Sequence, residues 1–336
     1  MRQVFVYEHV SGAAPLAAGL GAAPADDAEL LAAGLAMRDA LARDLLACPH
    51  TEVVVASASG MPAPPPGARV QAPAPGEPAQ AFVARQARRH GLVWVIAPET
   101  DGLLAGLQAV VPAEAWLGCS PAAIALTSRK QATLGHLARH GVPTPWRFGP
   151  GAQAGRWVVK PDDGAGALAT WRHDDLASAL ADQARRAASG RVSTLEPWVD
   201  GEALSLSLLC SHAGFELLSV NRQHIEVDAA GQVSYAGVSL CALGPGDPRH
   251  APLATLAARV VAAVPGLLGF VGIDCVWHAR EGAVFIELNP RLTCAYDGLS
   301  AALGRNLAAD WIHSLAPPVG PPAGLGSPAR AKAGHV

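Results

Sequence analysis

The chain of 336 residues is half hydrophobic and only 16% charged, and its 25 Lys and Arg against 28 Asp and Glu leave a net charge of −3. That length allows two or three domains and a substantial core, and the charge balance gives a nucleic-acid partner no electrostatic support. No apolar run reaches the roughly 18 residues a membrane helix needs, so no membrane partner is expected.

The opening "MRQVFVYEHV" reads as a strand carrying charges, unlike the basic, apolar and small-residue zones of a secretory leader, and a cytoplasmic location is expected. A helix follows at about 26–47, then the strand "TEVVVASAS". The Pro-rich stretch 61–78 is a surface connection with a short strand around Arg69–Val70. A helix at 79–90, the strand "LVWVIAP" and the loop "ETDG" opening another helix complete a small parallel α/β domain. The six cysteines are scattered without a C-x-x-C pair and are expected to be reduced thiols.

Beyond "GCSP" the pattern changes. One helix is predicted over 121–140, stopping at Gly141, with "VPTPW" forcing an extended exit. His136 and His140 share a face of that helix. No third ligand accompanies them, so a solvated face is expected rather than a zinc site. The strand "RWVVK", the loop "PDDGAGA" and a helix with an acidic first turn come next. "EALSLSLL" then alternates, with Leu204, Leu206 and Leu208 on one face and Ser205 and Ser207 on the other. "FELLSVN" and "QHIEVDAAGQVSYAGVSL" continue antiparallel pairing, a helix at 250–264 leads to the strands "GFVGIDCVWHA" and "AVFIELNP", and a last helix spans 298–315. The Pro/Gly/Ala tail is expected to be disordered.

Four groups of residues carry chemistry. Asp274 and Glu287 lie 13 positions apart across a short turn, and Glu287, Asn289 and Arg291 alternate onto one face. Two close carboxylates need a cation, and Mg²⁺ prefers hard oxygen ligands, to which Asn289 adds a neutral one. The competing reading is a solvated hairpin. In "VVKPDDGAGA" Lys160 precedes the glycines, so this is no Walker A loop; Gly164 and Gly166 either admit phosphate oxygens or form an ordinary turn. In "LEPWVDGEALS", Glu196 with Trp198 and Val199 would meet a nucleobase and Glu202 the ribose hydroxyls, unless both acids are exposed edge carboxylates. Lys130 alone would be a solvated helical lysine. The absence of G-x-G-x-x-G after the first strand argues against a Rossmann dehydrogenase.

Taken in order, these elements resemble the ATP-grasp superfamily over residues 121–310. "VFVYEHVSG", "WVIAPETDGLL", "LGCSPAAIALTSRK", "GVPTP" and "FIELNPRLTCAYDGL" are further similar to the tyramine–L-glutamate ligase group, which builds methanofuran-type one-carbon cofactors. Arg129 departs from that group, where Asp usually precedes the first lysine, and the Gly loop has Ala165 and Ala167 interleaved.

The resemblance implies an α/β and α+β architecture: an N-terminal Rossmann-like pre-ATP-grasp domain over 1–118, a small ATP-grasp subdomain over 119–190, a metal-bearing subdomain over 191–315, and a tail over 316–336. It further implies an ADP-forming carboxylate–amine ligase that joins glutamate to tyramine through an acyl phosphate. Lys130, Lys160, Gly164, Gly166, Glu196, Trp198, Val199 and Glu202 would bind ATP, and Asp274, Glu287 and Asn289 would bind Mg²⁺, with Mn²⁺ as a substitute. Arg291 would stabilise the transferring phosphoryl group or the tetrahedral intermediate, or else pair with Glu287 or Asp297; Arg222 would recognise the glutamate carboxylate. The partners are an amino acid and an amine, and a homodimer is allowed. An amino-acid or dipeptide ligase with another amine acceptor, and a non-catalytic ATP-binding protein, are the alternatives.

Overall fold

The computed structural model describes residues 1–13, 24–149, 155–164 and 166–315. The tail expected to be disordered lies outside the described residues. In the first domain β1 (Arg2–Glu8), β2 (Thr51–Ala56), β3 (Arg69–Gln71) and β4 (Leu92–Ile96) form a parallel sheet in the order β3-β2-β1-β4. Val4, Phe5, Val6 and Tyr7 of β1 are all fully buried, because a parallel sheet is covered on both faces. The period of two sorts its residues into two cores. Val4, Val6, Val53, Val55 and Trp94 pack with α2 (Pro24–Leu46), which follows the short α1 (His9–Gly12). Phe5, Tyr7, Val54, Val93 and Val95 pack with α3 (Ala79–Ala87) and α4 (Leu103–Gln108).

The predicted helix over 121–140 is two helices, α5 (Pro121–Thr127) and α6 (Lys130–Arg139). Arg129 between them is extended (φ −120°, ψ 102°). The break is stabilised from outside: the Asp162 carboxylate accepts the Gln131 N–H at 2.8 Å and the Arg129 guanidinium at 2.5 Å, and Lys130 N–H donates to Asp162 O at 2.8 Å. A helix start must find acceptors for its first N–H groups, and Asp162 supplies them. The small antiparallel sheet, in the order β6-β5-β7, comprises β5 (Trp157–Pro161), β6 (Trp171–His173) and β7 (Ser193–Pro197), with α7 (Leu176–Ala188) on one face. This sheet runs past residue 190 to Pro197.

The third sheet is antiparallel, in the order β10-β9-β8-β11-β12. Its strands are β8 (Glu202–Ser211), β9 (Gly214–Val227), β10 (Val233–Ser239), β11 (Gly269–His278) and β12 (Gly282–Asn289). "FELLSVN" and the first arm of the segment expected after it, "QHIEV", run together as the single 14-residue β9, and the second arm beyond "DAAGQ" is β10. Leu204, Leu206, Leu208 and Val220 are fully buried against α8 (His250–Ala263), each side chain contributing about 1.5–3 kcal/mol by leaving water. The other face carries Ser205, Ser207, Asn221 and Gln223. The β9–β10 turn docks on the small sheet, with Arg172 N donating to Gly231 O at 2.7 Å and Val233 N to Thr170 O at 2.9 Å. Gly231 has φ +92°, and a Cβ there would collide with Arg172 O.

The predicted C-terminal helix is also broken, into α9 (Leu299–Leu303) and α10 (Leu307–Ser314), at Gly304, which has φ +64°. Both pack back on α2, where Asp44 accepts from Tyr296 Oη at 2.5 Å and Asn306 Nδ2 donates to its carbonyl at 2.6 Å. His136 is not merely solvated: its Nε2 lies 2.6 Å from Ala263 O, tying α6 to α8. All six cysteines are free thiols. Among the described residues no helix is long and apolar enough to cross a membrane.

Candidate active site

The three sheets enclose a cavity of about 1050 Å³. The C-terminal ends of β1 and β4 form one wall, β5 and β7 a second, and the polar face of the large sheet the floor. Lys130 is the first residue of α6, and the helix break turns it inward, where it is buried. Its Nζ lies 3.0 Å from Glu287 Oε1 and donates to Gly164 O. Lys160 on β5 and Glu196 on β7 are diagonal neighbours on one face, since Val158 pairs with Glu196 and Lys160 with Thr194. They form a buried ion pair at 2.5 Å. Burial opposes the Lys160 charge, but Glu196 and Glu287 outweigh it and raise its pKa, so the ammonium persists. Glu196 lines the cavity, and its Oε2 is buried without a hydrogen-bond partner in the protein, an acceptor left over after the Lys160 pair.

Asp274 and Glu287 stand directly opposite each other in the β11–β12 ladder, and the bulge that follows shifts Phe285 opposite Cys275. Burial and then the Glu287 charge push the Asp274 carboxyl up to about 7. Gln223 Nε2 (3.0 Å) and Asn289 Nδ2 (3.2 Å) donate to it. Among the described residues no cluster of three or more His, Cys, Asp or Glu is placed to hold a metal. Two carboxylates held close in a cavity nevertheless fit a hard divalent cation, whose remaining ligands would come from phosphate and water, as Mg²⁺ prefers. Asp274, Glu287 and the Asn289 amide oxygen are the residues that would hold it.

Gly164, Gly166, Trp198 and Val199 line the cavity with Lys160, Glu196, Asp274, Glu287, Asn289 and Arg291. The Arg172 guanidinium lies 5.8 Å from the Trp198 ring centroid, backing that wall with a cation–π contact. Arg291 pairs with neither Glu287 nor Asp297. Its Nε and Nη2 form two bonds to Glu99, at 2.9 and 3.1 Å, across 192 residues of sequence.

Glu202 and Arg222 stand apart from the cavity. Even-numbered residues of β8 face α8 with Leu204, and Arg222 pairs with Leu204 in the ladder, so both side chains lie on the face opposite Ser205 and Gln223. Arg222 Nε bonds Glu202 at 2.6 Å, and Arg249, itself paired with Asp247, completes a partly exposed ionic cluster. The ribose contact expected of Glu202 and the carboxylate contact expected of Arg222 are therefore corrected: strand parity turns both side chains away. The alternation of "EALSLSLL" already carried that parity.

Three site residues escaped the sequence reading: Glu99, Asp162 and Gln223. Glu99 had a usable signal, being an acid just past the C-terminal end of a parallel strand, where α/β sheets collect their ligands. Asp162 and Gln223 act through contacts with distant segments and had none.

Comparison with known proteins agrees with this geometry. A family model described as the ATP-grasp domain matches residues 127–295, and one described as the pre ATP-grasp 3 domain matches residues 51–124. No curated protein gives a significant match. The fold is similar to that of an ATP-grasp superfamily protein from Archaeoglobus fulgidus, at 22% identity and a TM-score of 0.64 over 93% of this chain and 88% of that one. It is similar to L-amino acid ligase from Bacillus licheniformis (14% identity, TM-score 0.65, 94% and 74% covered). It also resembles D-alanine--D-alanine ligase from Bacillus anthracis (12% identity, TM-score 0.60, 94% and 97% covered). With the domain model spanning half its length, the chain belongs to the ATP-grasp superfamily and carries a pre-ATP-grasp domain before the ATP-grasp domain.

Proposed function

We propose that the protein is an ATP- and Mg²⁺-dependent carboxylate–amine ligase that joins L-glutamate to tyramine, in the manner of enzymes that build methanofuran-type cofactors. The observation that carries the ligase reading is one cavity lined by the buried Lys160 and the facing carboxylates Asp274 and Glu287, with the buried Lys130 just behind that lining against Glu287 and Gly164. Lysines at that depth suit the phosphates of ATP, and Glu196, Trp198 and Val199 suit its base. Bound Mg²⁺ supplies charge neutralisation between the phosphates and the two carboxylates.

In this reading Lys130 and Lys160 hold the phosphate chain so that the glutamate carboxylate attacks the γ-phosphoryl group in line. An acyl phosphate and ADP result. The amine then attacks the acyl carbon, phosphate leaves, and the amine's surplus proton passes to a base or to water. Arg291 stabilises the negative charge of the transferring group or of the tetrahedral intermediate. The protein contributes positioning and charge neutralisation rather than a nucleophile of its own.

The choice of acceptor is supported by the wall that the N-terminal domain contributes. It brings Val10, Leu30, Met37 and Ile96 together with the acids Glu8 and Asp101, and no Lys or Arg among the described residues. Such a wall, whose polar side chains are otherwise His9 and Thr100, suits an ammonium group on an apolar body better than a carboxylate, which favours an amine over an amino acid. Incubation with ATP, Mg²⁺, glutamate and a panel of amines and amino acids, read by phosphate release and product mass, tests the proposal. A γ-glutamyltyramine product supports it. Phosphate release that tyramine does not stimulate, with an amino acid active instead, favours a dipeptide ligase.

A further inference from the structure

Arg291 lines the cavity, and its guanidinium is held from behind by a residue outside the cavity lining. Glu99 sits just beyond β4 in the N-terminal domain, is only 5% exposed, and does not line the cavity. Its two oxygens engage Arg291 Nε and Nη2 at 2.9 and 3.1 Å, while Nη1 donates to Leu292 O at 3.2 Å. A guanidinium has five N–H groups. Three are used in these bonds, and two remain for whatever occupies the cavity that Arg291 lines.

We infer that Glu99 is a positioning residue: its two-point contact fixes the plane of the Arg291 guanidinium and aims the two unused N–H groups at the reacting centre. The physical case rests on geometry and charge. A planar fork gripped at two points cannot rotate about its long axis, whereas a singly bonded arginine samples many rotamers. Glu99 belongs to the N-terminal domain and Arg291 follows the strand bearing Glu287 and Asn289, so the contact also couples the two domains at the site. This inference rests on the proposed role of Arg291 in charge stabilisation.

The test compares Glu99→Ala, Glu99→Gln, Glu99→Asp, Arg291→Ala and the Glu99→Ala/Arg291→Ala double variant, using ATP, Mg²⁺ and the best substrate pair from the panel. Circular dichroism and thermal melting report on folding. The expected result is a kcat lowered about hundredfold in Glu99→Ala and Glu99→Gln, the scale of a misplaced catalytic group, with the KM for ATP little changed. Glu99→Asp, which keeps both oxygens on a shorter arm, should recover part of that loss. Adding Glu99→Ala to Arg291→Ala should cost nothing more in kcat, because no fork remains to orient. If Arg291→Ala is crippled while Glu99→Ala and Glu99→Gln turn over normally, the inference fails and the reading of Arg291 survives. If Arg291→Ala works at the wild-type rate, the reading of Arg291 fails and takes the inference with it. Independent, additive losses in the double variant would make Glu99 merely structural and overturn the inference.

Discussion

Replacing Asp162 with Ala tests whether the helix break that presents Lys130 is held by one carboxylate. Asp162 is 3% exposed and accepts from Gln131 N at 2.8 Å, Thr194 Oγ1 at 2.8 Å and Arg129 Nε at 2.5 Å. Hydrogen bonds to a charged acceptor are worth about 1.5–3 kcal/mol each, and truncation leaves the buried Thr194 hydroxyl unpaired and removes the acceptor of the Gln131 N–H, on an exposed residue. The Arg129 side chain is half exposed, so its share is discounted to at most about 1 kcal/mol. The expected loss is about 3–5 kcal/mol, a large part of the 5–15 kcal/mol typical of a folded domain. Urea unfolding followed by circular dichroism measures it, and calorimetric titration with ATP reports whether Lys130 keeps its place. Burial pushes the Asp162 carboxyl up, but the Gln131 N–H, Arg129 and Thr194 outweigh it and lower its pKa. Its contribution is thus present above the unfolded value of about 4 and is lost as pH falls through the lower folded value. The gap between wild type and Asp162→Asn should accordingly narrow in acid. A loss below about 1 kcal/mol, or unaltered ATP binding in a clearly destabilised Asp162→Ala variant, would show that other contacts hold the break and Lys130.

Two further outcomes are expected. Glu287→Gln should fold normally yet lower ADP release on the order of a thousandfold, since it removes a metal contact and the charge opposite Asp274; full activity in that variant would reject the metal assignment. In chelator-treated protein, the Asp274 pKa of about 7 lies above its unfolded value, so its contribution is fully present below about pH 4 and is lost as pH rises through about 7. Urea midpoints should therefore fall from about pH 5 to about pH 8, and Asp274→Asn should flatten that slope; an equal slope in the variant would contradict the placement of the two carboxylates.

Local patterning alone set most of the strands and the faces their side chains take, though not where two of the helices break. Periodicity of two is a local property, so the buried run of β1, the Leu/Ser alternation of β8 and the shared face of Glu287 and Asn289 were legible without the fold. The order of Lys130, Lys160, Glu196, Asp274 and Glu287 along the chain was legible too. Tertiary structure decided what those residues touch, because the contacts join segments far apart in sequence. A helix pattern over 121–140 contains no local stop, and only Asp162, delivered by the end of β5, makes the break at Arg129 favourable and sets Lys130 against Glu287. Arg291 offered nearby acids at Glu287 and Asp297 but met Glu99, which a parallel strand brings from the other end of the chain. Local patterning specifies which face a side chain takes; the packing of sheets against one another specifies what stands across from it.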